Sequence, residues 1–205
     1  MSLLAIDTSM GTSVALEVGD VVAGAGSPDE RGHTEVIGSL IARVFEETGA
    51  SPRDVEGVVV GIGPGPFTGL RVGIAAAKAF ATGLGVPLLP ISGHEAVAYG
   101  EMPDNEDAGP VRVLQDARRR ELFVTEYDGL DEFGLPRRIG EPHLLARADY
   151  VEEERDAWPA EIPASTLLWL ARLRLRAGRE FEVDRALYLR SPDVYPAAAV
   201  KRVSA

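Results

Sequence analysis

The chain contains no cysteine, only three histidines, and no long uninterrupted apolar run. The first absence excludes disulfides, thiolate metal sites and a cysteine nucleophile. The second leaves little from which to build a metal centre. His33, His94 and His143 do not pair at helical spacing, because Ile37 stands where a His-x-x-x-His pair would place its second ligand. All three histidines read as surface or capping residues. The third absence rests on Arg71 and Lys78, which interrupt the longest apolar candidate, residues 70–84, well short of the about 18 residues a membrane span requires. The amino terminus has no basic flank and reaches Asp7 too soon for a secretory leader. The expected location is therefore cytoplasmic, without membrane association. Basic charge is also in deficit. Lys and Arg total 21 against 32 Asp and Glu, a net charge of −11. Nucleic acid is bound through a basic surface, so tRNA or DNA is not expected as a direct partner. The arginines at 118–120 and at 172, 174, 176 and 179 read as solvated faces on an acidic molecule.

What is present is enough for one or two compact units: 205 residues, 45% of them hydrophobic. Residues 3–8 form an apolar run ending at an aspartate, the pattern of a buried strand. Residues 12–18 and 21–25 continue as β-formers around Gly19-Asp20, a two-residue hairpin loop. A helix is predicted over 34–48, with Thr34 as N-cap, Gly49 as terminator, and Val36, Ile37, Leu40, Ile41, Val44 and Phe45 on one face. Ser51-Pro52-Arg53-Asp54 carries a cap with proline at the first helical position. Val58, Val59, Val60 and Ile62 then read as a strand buried on both faces. A helix over 70–84, a strand over 87–91 and a short helix over 94–100 follow. The order β-β-β-α-β-α-β is that of an α/β ribonuclease-H-like lobe, as in actin-like folds, with a mixed sheet.

The acidic, turn-rich stretch 101–110 marks a boundary between an N-terminal lobe, 1–100, and a C-terminal lobe, 111–205. The second lobe repeats the first in reduced form. Residues 111–116 are again a strand ending in aspartate, residues 122–127 are its partner, and 137–145 form a third strand. Residues 165–177 form a helix. The Glu-rich stretch 150–164 leaves little room for a further strand and crossover. The tail, with Pro192 and Pro196, reads as extended against the body.

Two features carry candidate function. Asp7, Thr8 and Ser9 lie at a strand end, where actin-like ATPases hold phosphate and magnesium, but the same residues also satisfy turn backbone. The loop from Gly61 to Gly69 joins a strand to a helix, yet no Gly-Lys-Ser/Thr follows, and Pro64 and Pro66 remove N–H donors. The helix after it is apolar nearly all round, with only a thin polar stripe at Arg71, Lys78 and Thr82. Gly73, Ala76, Ala77 and Gly83 would admit a second helix closely, and Gly38, Ser39 and Ala42 stand beside the apolar face of the preceding helix. The inference is a helix pair offered to a partner.

Leu4-Ala5-Ile6-Asp7-Thr8-Ser9, the string Gly63-Pro64-Gly65-Pro66-Phe67-Thr68-Gly69-Leu70-Arg71-Val72-Gly73, the turn Gln115-Asp116-Ala117-Arg118 and the late Tyr188-Leu189-Arg190 together resemble the bacterial TsaB family. The resemblance covers residues 1–130 and 186–196. It implies two actin-like lobes and a non-catalytic scaffold role in the complex that transfers a threonylcarbamoyl group to adenosine beside the tRNA anticodon. It implies TsaD as partner, with the ATPase TsaE joining the pair. The same helices could pair two copies of the chain when TsaD is absent, and tRNA would be met only indirectly. The implied partner face comprises Thr34, Ile37, Gly38, Ile41, Arg71, Gly73, Ile74, Ala77, Lys78, Phe80 and Ala81. Asp7, Thr8 and Ser9 would be a degenerate phosphate loop, with no catalytic residue, no metal and no cofactor beyond vestigial nucleotide binding. The alternatives are an active actin-like ATPase or small-molecule kinase, and a metallopeptidase, which the missing histidine pair disfavours.

Overall fold

The computed structural model describes residues 1–29, 32–102 and 110–190. The boundary stretch around 103–109 and the prolines at 192 and 196 lie outside the described residues. The first sheet is built from β1 (Leu3–Asp7), β2 (Thr12–Val18), β3 (Val21–Ser27), β4 (Gly57–Gly61) and β5 (Leu88–Ile91), in the order β3-β2-β1-β4-β5. β1 runs antiparallel to β2 and parallel to β4, so the sheet is mixed, as expected from a meander followed by crossovers. β4 is buried along its whole length, which accounts for its unbroken run of valines.

The strands alternate strictly between two cores. Leu4, Ile6, Val14, Leu16, Val58 and Val60 face α1 (His33–Thr48) and α2 (Phe67–Leu84). Leu3, Ala5, Ala15 and Val59 face the opposite side. α1 contributes Ile37, Leu40, Val44 and Phe45 to the first core, and α2 contributes Leu70, Ile74, Ala77 and Ala81. α1 starts at His33 after Gly32, which provides no side-chain cap, so Thr34 is not its N-cap. It ends at Gly49 in the left-handed conformation (φ 68°), where a side chain would be strained. The Ser51 cap forms as expected: Ser51 accepts from the Arg53 N–H, and Asp54 accepts from the Ser51 N–H. α2 begins at Phe67, three residues before the apolar pattern suggested.

The second sheet has the order β8-β7-β6-β9, from β6 (Val111–Asp116), β7 (Glu121–Leu130), β8 (Pro136–Ala146) and β9 (Asp156–Ala157). Its opening hairpin repeats the register of the first. Asp7 ends β1 opposite Ser13, and Asp116 ends β6 opposite Leu122, each six residues on. The reduction is severe: β9 has two residues, and among the described residues no helix separates β8 from β9. α3 (Gly93–Glu101) and α4 (Ala164–Ala177) complete the chain's helices in this region.

α4 does not serve the second sheet alone. It packs across β1, β2 and β4, so the carboxyl half covers the rear face of the amino-terminal sheet. The arginines along and after it are not merely solvated. Arg172 pairs with Glu17, Arg174 with Glu95, and Arg179 with Asp131 and Glu132. Ion pairs thus fix the helix between the two sheets. After α4 the chain runs back as a strap to Arg190. The Glu182 N–H donates to the Pro90 carbonyl at 3.1 Å, and the Leu187 N–H to that of Ile62 at 2.8 Å.

A close contact joins the end of β1 to α2. The Thr8 hydroxyl donates to the Gly69 carbonyl at 2.7 Å and accepts from the Gly73 N–H at 2.9 Å. A Cβ on Gly73 would lie 2.2 Å from Thr8 Oγ1, whereas one on Gly83, on the same helix, would meet nothing within 4 Å. We expect Gly73→Ala to cost several kcal/mol of stability, at or above the usual cost of overpacking, about 1–3 kcal/mol. We expect Gly83→Ala to be neutral or stabilising by up to about 1 kcal/mol. Urea denaturation of both variants checks this.

Candidate functional site

The three residues of the expected phosphate loop sit together at the junction of the two lobes, and they are closed off. Asp7, Thr8 and Ser9 are 1%, 1% and 2% exposed. Thr8 is engaged with α2. Ser9 folds back on its own carboxylate: its N–H and its hydroxyl both donate to Asp7 Oδ1, at 2.8 and 2.7 Å. Gly65 lies against Ser9, and a Cβ there would stand 2.7 Å from the serine Cβ. A Cβ on Gly61 would overlap Asp7 Oδ2 at 1.7 Å. Gly61, at the end of β4, and Gly65, in the loop that follows, are thus packed directly against Asp7 and Ser9.

The second lobe closes the remaining side. Gln115, next to the end of β6, donates through Nε2 to the Ser9 carbonyl at 2.9 Å. Its Oε1 lies 3.2 Å from His94 Nε2, and His94 Nδ1 lies 2.8 Å from the Thr125 hydroxyl. Because the Gln115 oxygen can only accept, His94 carries its proton on Nε2 and accepts at Nδ1 from Thr125. The chain Asp7–Ser9–Gln115–His94–Thr125 crosses from one hairpin to the other. Ser13 adds a further tie, donating to the Ile162 carbonyl at 2.6 Å.

Burial sets the protonation of both ends. Desolvation pushes the Asp7 carboxyl up to about 6, against the lowering effect of its two bonds from Ser9, and Oδ2 has no donor. Desolvation pulls His94 down to about 4, opposed by Gln115. The histidine is therefore neutral inside the protein. His33 is buried as well, with Nδ1 2.9 Å from the Thr12 hydroxyl, where it fixes the start of α1 on the first hairpin. Of the two positions expected for these histidines, surface or cap, the surface one is corrected for His33 and His94. Each has a hydroxyl partner, which makes burial affordable. His143 is exposed. Among the described residues no three His, Asp or Glu side chains group as ligands for a metal ion.

The expected partner face divides in two. Ile37, Gly73, Ile74, Ala77 and Ala81 are buried against the chain's own sheet. Their inclusion in a docking face is corrected, because an apolar helix on a sheet turns its largest side chains and closest glycine inward. Thr34, Gly38 and Arg71 are exposed, and Ile41, Lys78 and Phe80 are partly so. The exposed positions of α2 include Ala75, Ala79, Thr82 and Gly83, and those of α1 include Ser39 and Ala42. A ridge of small residues therefore faces outward, displaced around each helix from the residues first chosen. Arg71 and Lys78 bound it on the strap side, contacting Tyr188 and Asp184.

Comparison with known proteins agrees with this architecture. The family described as "TsaD: tRNA N6-adenosine threonylcarbamoyltransferase" matches residues 28–138. A Mycobacterium tuberculosis H37Rv protein is 36% identical over 107 residues, 52% of this chain and 48% of its own length. The chain thus spans about half the length of that relative. The Escherichia coli K12 "tRNA threonylcarbamoyladenosine biosynthesis protein TsaB" is 36% identical over 138 residues, 66% of this chain and 58% of its own. Its Bacillus subtilis 168 counterpart is 30% identical over 160 residues, 76% and 68%. A Pseudomonas aeruginosa crystal structure, described as an uncharacterized protein with similarity to peptidase YEAZ, superposes with a TM-score of 0.77 at 26% identity, covering 92% of this chain and 99% of that one. Sheet order and repeated hairpins define an actin-like α/β protein with a reduced second lobe. Within that class the chain belongs to the TsaB family.

The opposed shifts of Asp7 and His94 give a pH signature. The folded Asp7 keeps its proton up to about 6, whereas the unfolded one loses it near 3.8. Its contribution is therefore fully present at low pH and lost as pH rises through about 6. His94 does the reverse: the unfolded state binds its proton below 6.5 and the folded state only below about 4, so stability falls on acidification across that window. Each shift corresponds to about 3 kcal/mol, and in the parent chain they oppose one another. We expect Asp7→Asn, which keeps the acceptor for Ser9 and removes the buried charge, to be more stable at pH 7. Its stability should fall more steeply than the parent's between pH 6.5 and 4. Urea midpoints measured across pH 4–7.5 test both statements.

Proposed function

We propose that this chain is a non-catalytic scaffold subunit in the biosynthesis of threonylcarbamoyladenosine in tRNA, and that it acts by docking the TsaD-type transferase. One observation carries the docking surface: the outward ridge on α1 and α2. A Cβ added at Gly38 or Gly83 would meet nothing within 4 Å, so these positions stand open rather than packed. Ala42, Ala75 and Ala79 extend the open surface along both helices. Small side chains let a second helix pair approach closely, and close approach buries area at little entropic cost because alanine and glycine have no rotamers to freeze. The TsaB names of the relatives support the pathway. The family match to TsaD over 28–138 supports a partner of related fold, so that the ridge would face its own counterpart.

The absence of chemistry in this reading follows from the closed junction. A nucleotide-hydrolysing lobe must bring a phosphate and its cation to the strand-end carboxylate. Here that carboxylate is buried, bonded to Ser9 and roofed by glycines. The cleft position is filled by protein hydrogen bonds, and the chain takes no nucleotide there. TsaE would join the assembly through the docked pair, and tRNA would be met through TsaD rather than through a surface of net charge −11. Without TsaD the same ridge offers itself to a second copy.

Ala75→Glu and Ala79→Glu place carboxylates on the ridge without touching the core. We expect both to remain folded and to weaken association with TsaD by at least a hundredfold, since a desolvated unpaired charge costs about 3–5 kcal/mol. Co-expression with TsaD followed by sizing measures this. Undiminished co-elution of the double variant would remove the ridge from the interface. Calorimetry with Mg-ATP should give no heat; micromolar binding with turnover would instead make the chain an ATPase.

A further inference from the structure

Three segments far apart in sequence meet at one cavity. Residues 65–67 from the strand-to-α2 loop, 117–119 from the β6–β7 hairpin and 188–190 from the strap line a cleft of about 440 Å³ that is separate from the buried Asp7. Neither the closed junction nor the α1–α2 ridge uses it. Its walls are aromatic: Phe67 and Tyr188 pack with ring centroids 4.7 Å apart, and Phe123 also lines it. Its rim is cationic, from Arg118, Arg119 and Arg190.

The rim is held in an unusual backbone. Arg118, Arg119 and Arg120 are the only non-glycine residues with positive φ among those described, at 63°, 52° and 63°. Three successive side-chain-bearing residues in the left-handed region carry a conformational cost, and such outliers cluster at ligand-contacting sites. Tyr188 is likewise fixed by more than its own stacking: its hydroxyl accepts from Arg71 Nε at 3.2 Å, while that guanidinium lies 3.7 Å from the Phe67 ring centre. Arg190 is paired with Glu121, and Arg118 and Arg119 each have an interaction partner as well. A guanidinium has five N–H donors, so one such pairing leaves capacity for a further carboxylate at the rim.

We propose that this cleft is a docking site for a short acidic–aromatic peptide segment of a partner protein, with an aromatic or large aliphatic side chain between the rings and flanking carboxylates on the arginine rim. The concentration of positive charge on a chain of net charge −11 supplies the complementarity. The aromatic floor and arginine rim have the composition of binding hot spots. A phosphate ligand fits less well, because the cleft's walls are mainly apolar and Pro66 has no N–H to offer. The site is distinct from the α1–α2 ridge, and its failure would leave the scaffold reading intact.

The test uses the full chain against a display library of random heptapeptides, with selected sequences then measured by fluorescence anisotropy. The expected result is enrichment of Asp or Glu flanking Trp, Phe, Tyr or Leu. Changing the acids of a selected peptide to amides should weaken its binding at least tenfold. The variant for the site is Arg118→Gly/Arg119→Gly, which removes both guanidinium groups while placing glycine where the backbone favours it. It should melt no lower than the parent, still co-elute with TsaD, and lose the peptide at least tenfold. Tyr188→Ala, with its melting checked alongside, should lose it similarly. Selection of basic or purely apolar peptides, no selection at all, or equal affinity for the glycine variant would overturn the proposal. Displacement of the peptide by Mg-ATP or by a short RNA at lower concentration than by a second acidic peptide would overturn it in favour of a phosphate ligand.

Discussion

The hydroxyl of Thr8 holds this structure in its working shape. By donating to the Gly69 carbonyl and accepting from the Gly73 N–H, it draws the first turns of α2 onto the end of β1 until no Cβ can fit between them. That approach determines which side of α2 faces the sheet. Leu70, Ile74, Ala77 and Ala81 are turned inward, and Ala75, Ala79 and Gly83 outward. It also leaves Thr8 and Ser9 buried at the end of β1. A single close contact thus both buries the end of β1 and sets which face of α2 is external.

The second hairpin extends this closure. Equivalent positions in the two lobes, each beginning with a strand that ends in aspartate, are joined by the Ser9–Gln115–His94–Thr125 chain. Buried polar groups are costly unless paired, and here pairing is nearly complete; Asp7 Oδ2 is the exception at the junction. A buried network satisfied to this extent favours a single arrangement of the elements it joins. α4 reinforces the arrangement from behind, pinned by Arg172 and Arg174 to buried glutamates on β2 and α3. The lobes are held shut, and the surfaces left open are the outer ridge and the cleft beside the strap.

Periodicity and punctuation made most of the fold legible in the sequence. The strand-terminal aspartates, the Gly19-Asp20 turn, the apolar stripe of α1 and the Ser51 cap all correspond to observed elements, because each depends on residues close together in the chain. The site was less legible. Composition reports that α2 is apolar all round and that Gly73 and Ala77 are small, without reporting which arc meets the sheet; the Thr8 contact decides that, from sixty-five residues away in the case of Gly73. His94 looked like a surface residue because Gln115 and Thr125 reach it only once two sheets pack together. The Arg172 and Arg174 cluster looked solvated for the same reason, as its partners Glu17 and Glu95 belong to the other half of the chain. Such tertiary pairings leave no local signal.

Hydrogen–deuterium exchange on the free chain, on the chain with Mg-ATP, and on the chain with TsaD tests the central claim in one experiment. The closed junction requires that amides of residues 8–13 be strongly protected in the free protein and unchanged by nucleotide, while added TsaD slows exchange along residues 71–85. Rapid exchange at residues 8–13 that Mg-ATP suppresses would contradict the account, since it would mean that the junction opens and holds a phosphate.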